Sequence, residues 1–191
     1  MNENDIISYT KRIIVGHILL LLTTIFLSWY FFSVPLPIGI LTSLVNGSAG
    51  YWTHRLGHKI YIANWYIAHV IGHHRYAYPA EAFDSTSYRV NTIDTYNLNF
   101  WMYIFIIGST ITITGIIFGY IKFMMIHITL YLVFENYIHE QIHLSNGILH
   151  KFKWFQILKS LHRIHHQPGS KHNYSVIGLE FDWLYGTLKY Y

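Results

Sequence analysis

Two long apolar runs alternate with two polar, histidine-rich blocks along this chain, and the alternation predicts its elements. Ile13 to Thr53 contains no Asp, Glu, Lys or Arg, a 41-residue run that is about twice the ~20 residues a helix needs to cross a bilayer. Ser33-Val34-Pro35-Leu36-Pro37 interrupts it, because two prolines remove backbone donors and disfavour a continuous helix. The run therefore predicts a tight hairpin of two spans, over 13–32 and 36–53. Residues 54–95 turn polar and predict an extramembrane segment, with Ile60 to Arg75 as an amphipathic helix lying on the membrane and loop from 76 onward. Thr95 to Phe134 is apolar again, broken only by Lys122 and by glycines at 108, 115 and 119. It predicts a second hairpin, over 97–118 and 122–143, with its turn near Gly119 to Lys122. Residues 144–191 are polar and basic with scattered aromatics and predict a folded cap. The expected fold class is an all-α integral membrane protein of one domain over 1–191, with four transmembrane helices in two hairpins and a helical cap.

Composition agrees with that pattern and narrows the chemistry. The 191 residues are 52% hydrophobic and 12% charged, about half the ~25% charged content of ordinary soluble domains. Cysteine is absent, which excludes disulfides, thiolate-bound zinc, iron–sulfur clusters and thiolate haem, so any metal must use nitrogen or oxygen ligands. The first ten residues lack the charged start and small-residue cleavage site of a removable signal peptide. Of the 13 Lys and Arg, all but Lys122 fall in the N-terminus, the middle segment or the tail. The positive-inside rule places these three regions in the cytosol, which corresponds to the endoplasmic reticulum membrane in a eukaryote and the inner or plasma membrane in a bacterium. The net charge of +4 follows this topology rather than a compact basic stripe, so nucleic acid is not an expected partner.

Histidines collect where the apolar runs end. They stand at HRLGH (54–58), HVIGHH (69–74), HEQIH (139–143) and HRIHH (162–166). Residues four apart share one face of a helix, so His54/His58, His69/His73, His139/His143 and His162/His166 each present two imidazoles in one direction. His74 and His165 bring the candidates to ten. Ten exceed the four to six ligands that one ion takes, and suit two. Measured from Pro35–Pro37 and from Lys122, His54 and His139 lie ~26–29 Å inward at ~1.5 Å per helical residue, so both reach the same interface. All-imidazole ligation favours iron, zinc, copper or nickel over calcium or magnesium. Glu135 and Glu140 are placed either to fix the tautomer of a ligand histidine or to pair with a neighbouring Arg or Lys. Asp182 either plays that supporting part or caps its local turn. His17 and His127, alone inside their spans, read as packed or hydrogen-bonded residues, and His150 as a solvated one.

At these residues the chain resembles the fatty acid hydroxylase/sterol desaturase superfamily of integral-membrane diiron oxidoreductases. The likeness rests on the four histidine groups above, on Asn173-Tyr174 and on DWLYGT from Asp182 to Thr187, and covers roughly 50–80 and 130–188. It implies a four-helix membrane bundle capped on the cytosolic side by a dimetal centre, with the ten histidines as ligands. His172 and Asn173 join Glu135, Glu140 and Asp182 as candidates for the supporting tier. Two departures stand out: three residues separate the first two histidines of HVIGHH where many relatives have two, and Ser175 replaces a glycine often found after Asn-Tyr.

The resemblance implies two iron ions, with zinc possible as isolated, that activate dioxygen and hydroxylate or desaturate a lipid of fatty acyl, sterol or carotenoid-like type. No flavin or nicotinamide fingerprint is present, so electrons are expected from a ferredoxin or b-type cytochrome system. Trp52, Trp65, Trp101 and Trp154 read as an interfacial belt or as the mouth of a lipid slot. Two rivals compete. A membrane zinc hydrolase would need HExxH with a catalytic Glu and an open zinc position, and HEQIH at 139–143 has that spacing with Glu140 as the candidate base. A bis-histidine haem or metal-handling protein would place its histidines facing one another within the bundle rather than at its end.

Overall fold

The computed structural model describes residues 3–59, 63–89 and 120–190, and among them the chain is helical, with a single isolated bridge between Ser85 and Leu144 and no strand. The span expected over 97–118, together with Gly119 of the turn and Trp101, lies outside the described residues.

Helix α1 (Glu3–Phe32) and helix α2 (Leu36–Lys59) form the first hairpin. Ser33 turns the chain in the left-handed region at φ 53°, and Pro35 accepts hydrogen bonds from Ile38 and Gly39, opening α2. Pro37 falls in the first turn, where a missing backbone donor costs nothing. Gly39 lets the two helices approach, since an added Cβ would stand 3.2 Å from Ile25. Two helix limits differ from the expected ones. The first helix starts ten residues before Ile13, because Ile6, Tyr9, Ile13 and Ile14 form a stripe at i, i+3, i+7, i+8 that packs on the core. The second continues past Thr53 to Lys59, since the change at 53 is one of polarity and nothing from His54 to His58 stops a helix.

Helix α3 (Ala63–Tyr66) runs straight into a π-helix, Ile67–Ala77, whose end is marked by a bond from the Tyr78 amide to the His73 carbonyl at 2.8 Å. Of the amphipathic surface helix expected over 60–75, the first three residues lie outside the described ones, and from Ile67 it is a wide-turn helix with Ala68, His69, Gly72, His73 and His74 buried. Helix α4 (Ile121–His143) coincides with the fourth expected span. Short 3₁₀ turns at Ala80–Ala82 and Ile148–Lys151 lead into the tail, which supplies α5 (Lys153–His165) and α6 (Leu179–Leu184).

The core joins α4, α5 and the tail: Ile138 and Ile142 meet Phe155, Leu158, Leu161, Val176 and Leu179, with Phe83 from the middle segment. Gly47 of α2 faces Phe181 of α6 so closely that a Cβ there would sit 2.3 Å from the ring. Among the described residues one helix is long and apolar enough to cross a membrane, over Asp5–Tyr30 of α1. Large apolar side chains are exposed along α1 (Leu19, Leu22, Phe26), α2 (Leu36, Ile40, Leu44) and α4 (Ile126, Leu130, Val133).

Candidate metal centre

The C-terminal ends of α2, α4 and α5 converge with the π-helix, and all ten histidines singled out from the sequence meet there. They sort into two groups of five whose ring nitrogens lie within 4.8 Å of one another. Nest A holds His54, His58, His69, His74 and His165; nest B holds His73, His139, His143, His162 and His166. The nests touch where His74 stacks on His166, with ring centroids 4.0 Å apart. Three of the expected pairs stay together: His54/His58, His139/His143 and His162/His166. The fourth, His69/His73, is divided between the nests, and His69 is joined instead by His74. The physical reason is the π-helix, whose wider turn displaces the four-residue face on which the pairing was reasoned.

These rings are neutral. Burial pushes His54, His69, His73, His74, His162 and His165 well below the ordinary histidine range, and neighbouring imidazoles add to it. Burial alone brings His58 to about 4. His166 is held at about 3, again by burial, although its bond to the Tyr78 carbonyl opposes the shift. Neutral imidazole is the form that binds a metal.

Main-chain carbonyls orient the rings. Nδ1 of His166 donates to Tyr78 O at 2.8 Å, Nδ1 of His165 to His172 O at 2.9 Å, and Nδ1 of His143 to Phe83 O at 3.4 Å. Those three rings therefore turn the Nε2 lone pair into the nests. Inside, Nε2 atoms stand 3.1 Å apart for His58 and His165, and 3.2 Å apart for His58/His69, His69/His74 and His162/His166. The Nε2 atoms of His54, His73, His139 and His143 are buried with no hydrogen-bond partner. Orphaned acceptors of this kind are costly, and a cation at the middle of each nest satisfies them. The donor set fits a borderline transition metal.

The supporting tier differs from the expected one. Asp182 is fully buried and reaches no histidine: it accepts from the Tyr174 and Ser175 amides at 2.8 and 2.7 Å and from the Thr187 hydroxyl at 2.6 Å. Its role is a clip that holds the strip carrying the His172 carbonyl. Burial raises its carboxyl pKa, and these hydrogen bonds oppose the rise. Asn173, left-handed at φ 54°, completes the clip by bonding Leu161 O, Lys189 O and the Lys189 amide. Asparagine tolerates that conformation better than most residues. His172 serves through its carbonyl. Glu135 is partly buried on α4 and Glu140 is exposed there. His17 donates to Glu180 at 2.7 Å, as a packed histidine should, whereas His150 is partly buried and bonded to Gln141 O rather than solvated.

Sequence reasoning missed Tyr78 and Phe83. Tyr78 stacks on His143 with centroids 4.0 Å apart and gives its carbonyl to His166; the Phe83 ring lies 4.7 Å from His143 and 5.0 Å from His166. Carbonyl acceptors leave no mark in side-chain spacing. A cavity of about 470 Å³ opens mainly on nest A, lined by its His58, His74 and His165, by His166 of nest B at the junction and by Tyr174, with Arg75 and Lys171 among its polar walls. Five mutually touching imidazoles leave no space for a macrocycle, and among the described residues no carboxylate belongs to either nest, Glu140 of HEQIH being exposed on α4.

The family model described as fatty acid hydroxylase matches residues 39–187. No curated protein and no solved structure matches the chain.

Proposed function

Since the chain belongs to the fatty acid hydroxylase family, part of the fatty acid hydroxylase/sterol desaturase superfamily of oxidoreductases, we propose that it is a membrane-bound diiron enzyme that hydroxylates or desaturates a lipid. The substrate is a fatty acyl, sterol or carotenoid-like molecule. The observation that carries this reading is the pair of five-imidazole nests, neutral, buried and in contact.

In this reading His54, His58, His69, His74 and His165 hold one ion, and His73, His139, His143, His162 and His166 the other. Two bound irons would supply the oxidising power to take hydrogen from an unactivated C–H bond, using dioxygen and external electrons. The chain's own residues do the rest. The carbonyls of Tyr78, Phe83 and His172 hold three rings at fixed angles, as outer-shell partners do in metal sites. Phe83 and Tyr78 wall nest B with aromatic carbon and keep water from it. The cavity over nest A gives water-borne reactants, protons and dissolved dioxygen included, a route from the polar side.

The exposed apolar bands on α1, α2 and α4 support a bundle in lipid; in this reading the chain crosses four times, as its apolar runs predict, with both termini and the nests on the cytosolic side. An acyl chain or ring system enters from the bilayer. Electrons come from a separate ferredoxin or b-type cytochrome carrier. The test compares lipids from cells expressing the protein with those from cells expressing His165→Ala. A hydroxylated or newly unsaturated lipid present only with the unmodified protein is expected; identical lipid profiles, with the protein inserted and metal-loaded, would refute the reading.

A further inference from the structure

Three of the four same-nest histidine pairs are four residues apart, and each belongs to an α-helix: His54/His58 on α2, His139/His143 on α4, His162/His166 at the end of α5. The fourth pair, His69/His74, is five apart and belongs to the π-helix. An α-helix turns ~100° per residue, so a five-residue step would swing His74 about 140° away from His69. A π-helix, bonded i to i+5, turns roughly 80° per residue and returns residue i+5 to within about 40°. The structure obeys this: the two Nε2 atoms are 3.2 Å apart, and the Tyr78 amide closes a five-residue bond on His73. His73 then falls to the other side of His69 and enters nest B.

We propose that the π-helix is a register device that divides one histidine cluster between two metal ions, and that one residue among Val70, Ile71 and Gly72 is an insertion the wide turn absorbs. The inference rests on the dimetal reading above. π-helices are usually single turns, so eleven residues of one require a compensating interaction. Three imidazoles delivered to two centres are that interaction. Removing Ile71 would leave histidines at i, i+3 and i+4, a spacing an ordinary α-helix splits in the same way, with i and i+4 sharing a face and i+3 turned ~60° to the other side. Adding a residue after Ile71 would place the pair six apart, which neither helix type brings together.

The experiment counts metal per chain in protein purified in detergent and follows amide hydrogen exchange over 67–77. Deletion of Ile71 is expected to keep the metal content of the unmodified chain and to slow exchange in this segment, while insertion of alanine after Ile71 lowers the content by about one ion. Loss of metal on deletion equal to that on insertion would overturn the proposal. Substitutions provide a second arm that leaves the length unchanged. His74→Ala combined with His58→Ala should lose one ion, and combined with His143→Ala both; His73→Ala should show the reverse pattern. Equal losses from all pairings would overturn the division. An unmodified chain that binds no metal would instead sink the dimetal reading, whatever the variants do.

Discussion

Nest B lies against the apolar core, with Tyr78 stacked on His143, the Phe83 ring over His143 and His166, and the core residues Ile138 and Ile142 adjacent in sequence to its α4 ligands His139 and His143. Nest A instead opens on a cavity that has Arg75, Glu81, Gln167 and Lys171 in its walls, and its inner edge is Tyr174, held by the Asp182 clip. Both contain five imidazoles, so the difference is one of surroundings. A cation in B would sit in a dry, carbon-walled place that exchanges slowly; one in A would be within reach of water-borne reactants. The two ions of the proposed enzyme are therefore unequal in access before any chemistry begins, and the comparison can be attacked at each wall.

The largest effect is expected at the junction. His166 bonds Tyr78 O, contacts His162 and stacks on His74, so His166→Ala should weaken the metal of nest B, unsettle His74 of nest A and lower product formation by more than about 100-fold, beyond the 10–100-fold usual for outer partners. Metal analysis and lipid profiling of the same preparation check this. Removing the roof of B comes next. Tyr78→Ala deletes a fully buried ring and should destabilise the fold by about 3 kcal/mol, and a chelator should then empty B as quickly as A. Unequal stripping rates that survive this change would break the assignment of B's protection to Tyr78.

Asp182→Asn should act on A. The amide replaces a carboxylate that accepts three hydrogen bonds, at a cost of about 1–3 kcal/mol, and loosens the His172 carbonyl that orients His165. Thermal unfolding and the rate of chelation from A measure it, with B unchanged. Acid gives a graded form of the same comparison. The folded pKa values of these histidines lie below 6.5, so their contribution is complete above about pH 6.5 and is lost as pH falls through the folded values. Protons compete with metal for the same nitrogens, and nest A is the one that presents three of its rings to an open cavity. Metal should leave A first on acidification, and a single-step release would contradict the difference between the nests. The smallest effect is expected away from both: His17→Gln removes one bond to Glu180 and should change stability by about 1 kcal/mol without altering metal content.

Much of this arrangement was legible in the chain. The break between α1 and α2 and the helical stretch of α4 were readable, because proline placement and apolar runs are written in single residues. The ten histidines were legible because three of their pairs obey α-helical spacing. The partition of His69, His73 and His74 was not, because a π-helix follows from interactions with α2, α4 and α5 rather than from local preference. The limits at Ile13 and Thr53 moved because polarity marks a membrane boundary, whereas helix ends are set by stops and packing. The orienting groups were illegible for a simpler reason: Tyr78, Phe83 and His172 act through main-chain oxygens that every residue possesses. Asp182 was visible as a candidate and open between two roles, and the three donors around it decide for the local clip.

Metal stoichiometry tests the central claim most directly, measured on the full chain purified in detergent after iron loading and removal of loosely held ions. The account predicts two irons per chain, falling to one when a nest is disabled by His58→Ala with His74→Ala, or by His143→Ala with His162→Ala. A single ion per chain that both double variants abolish, or a haem absorbance band, would contradict it.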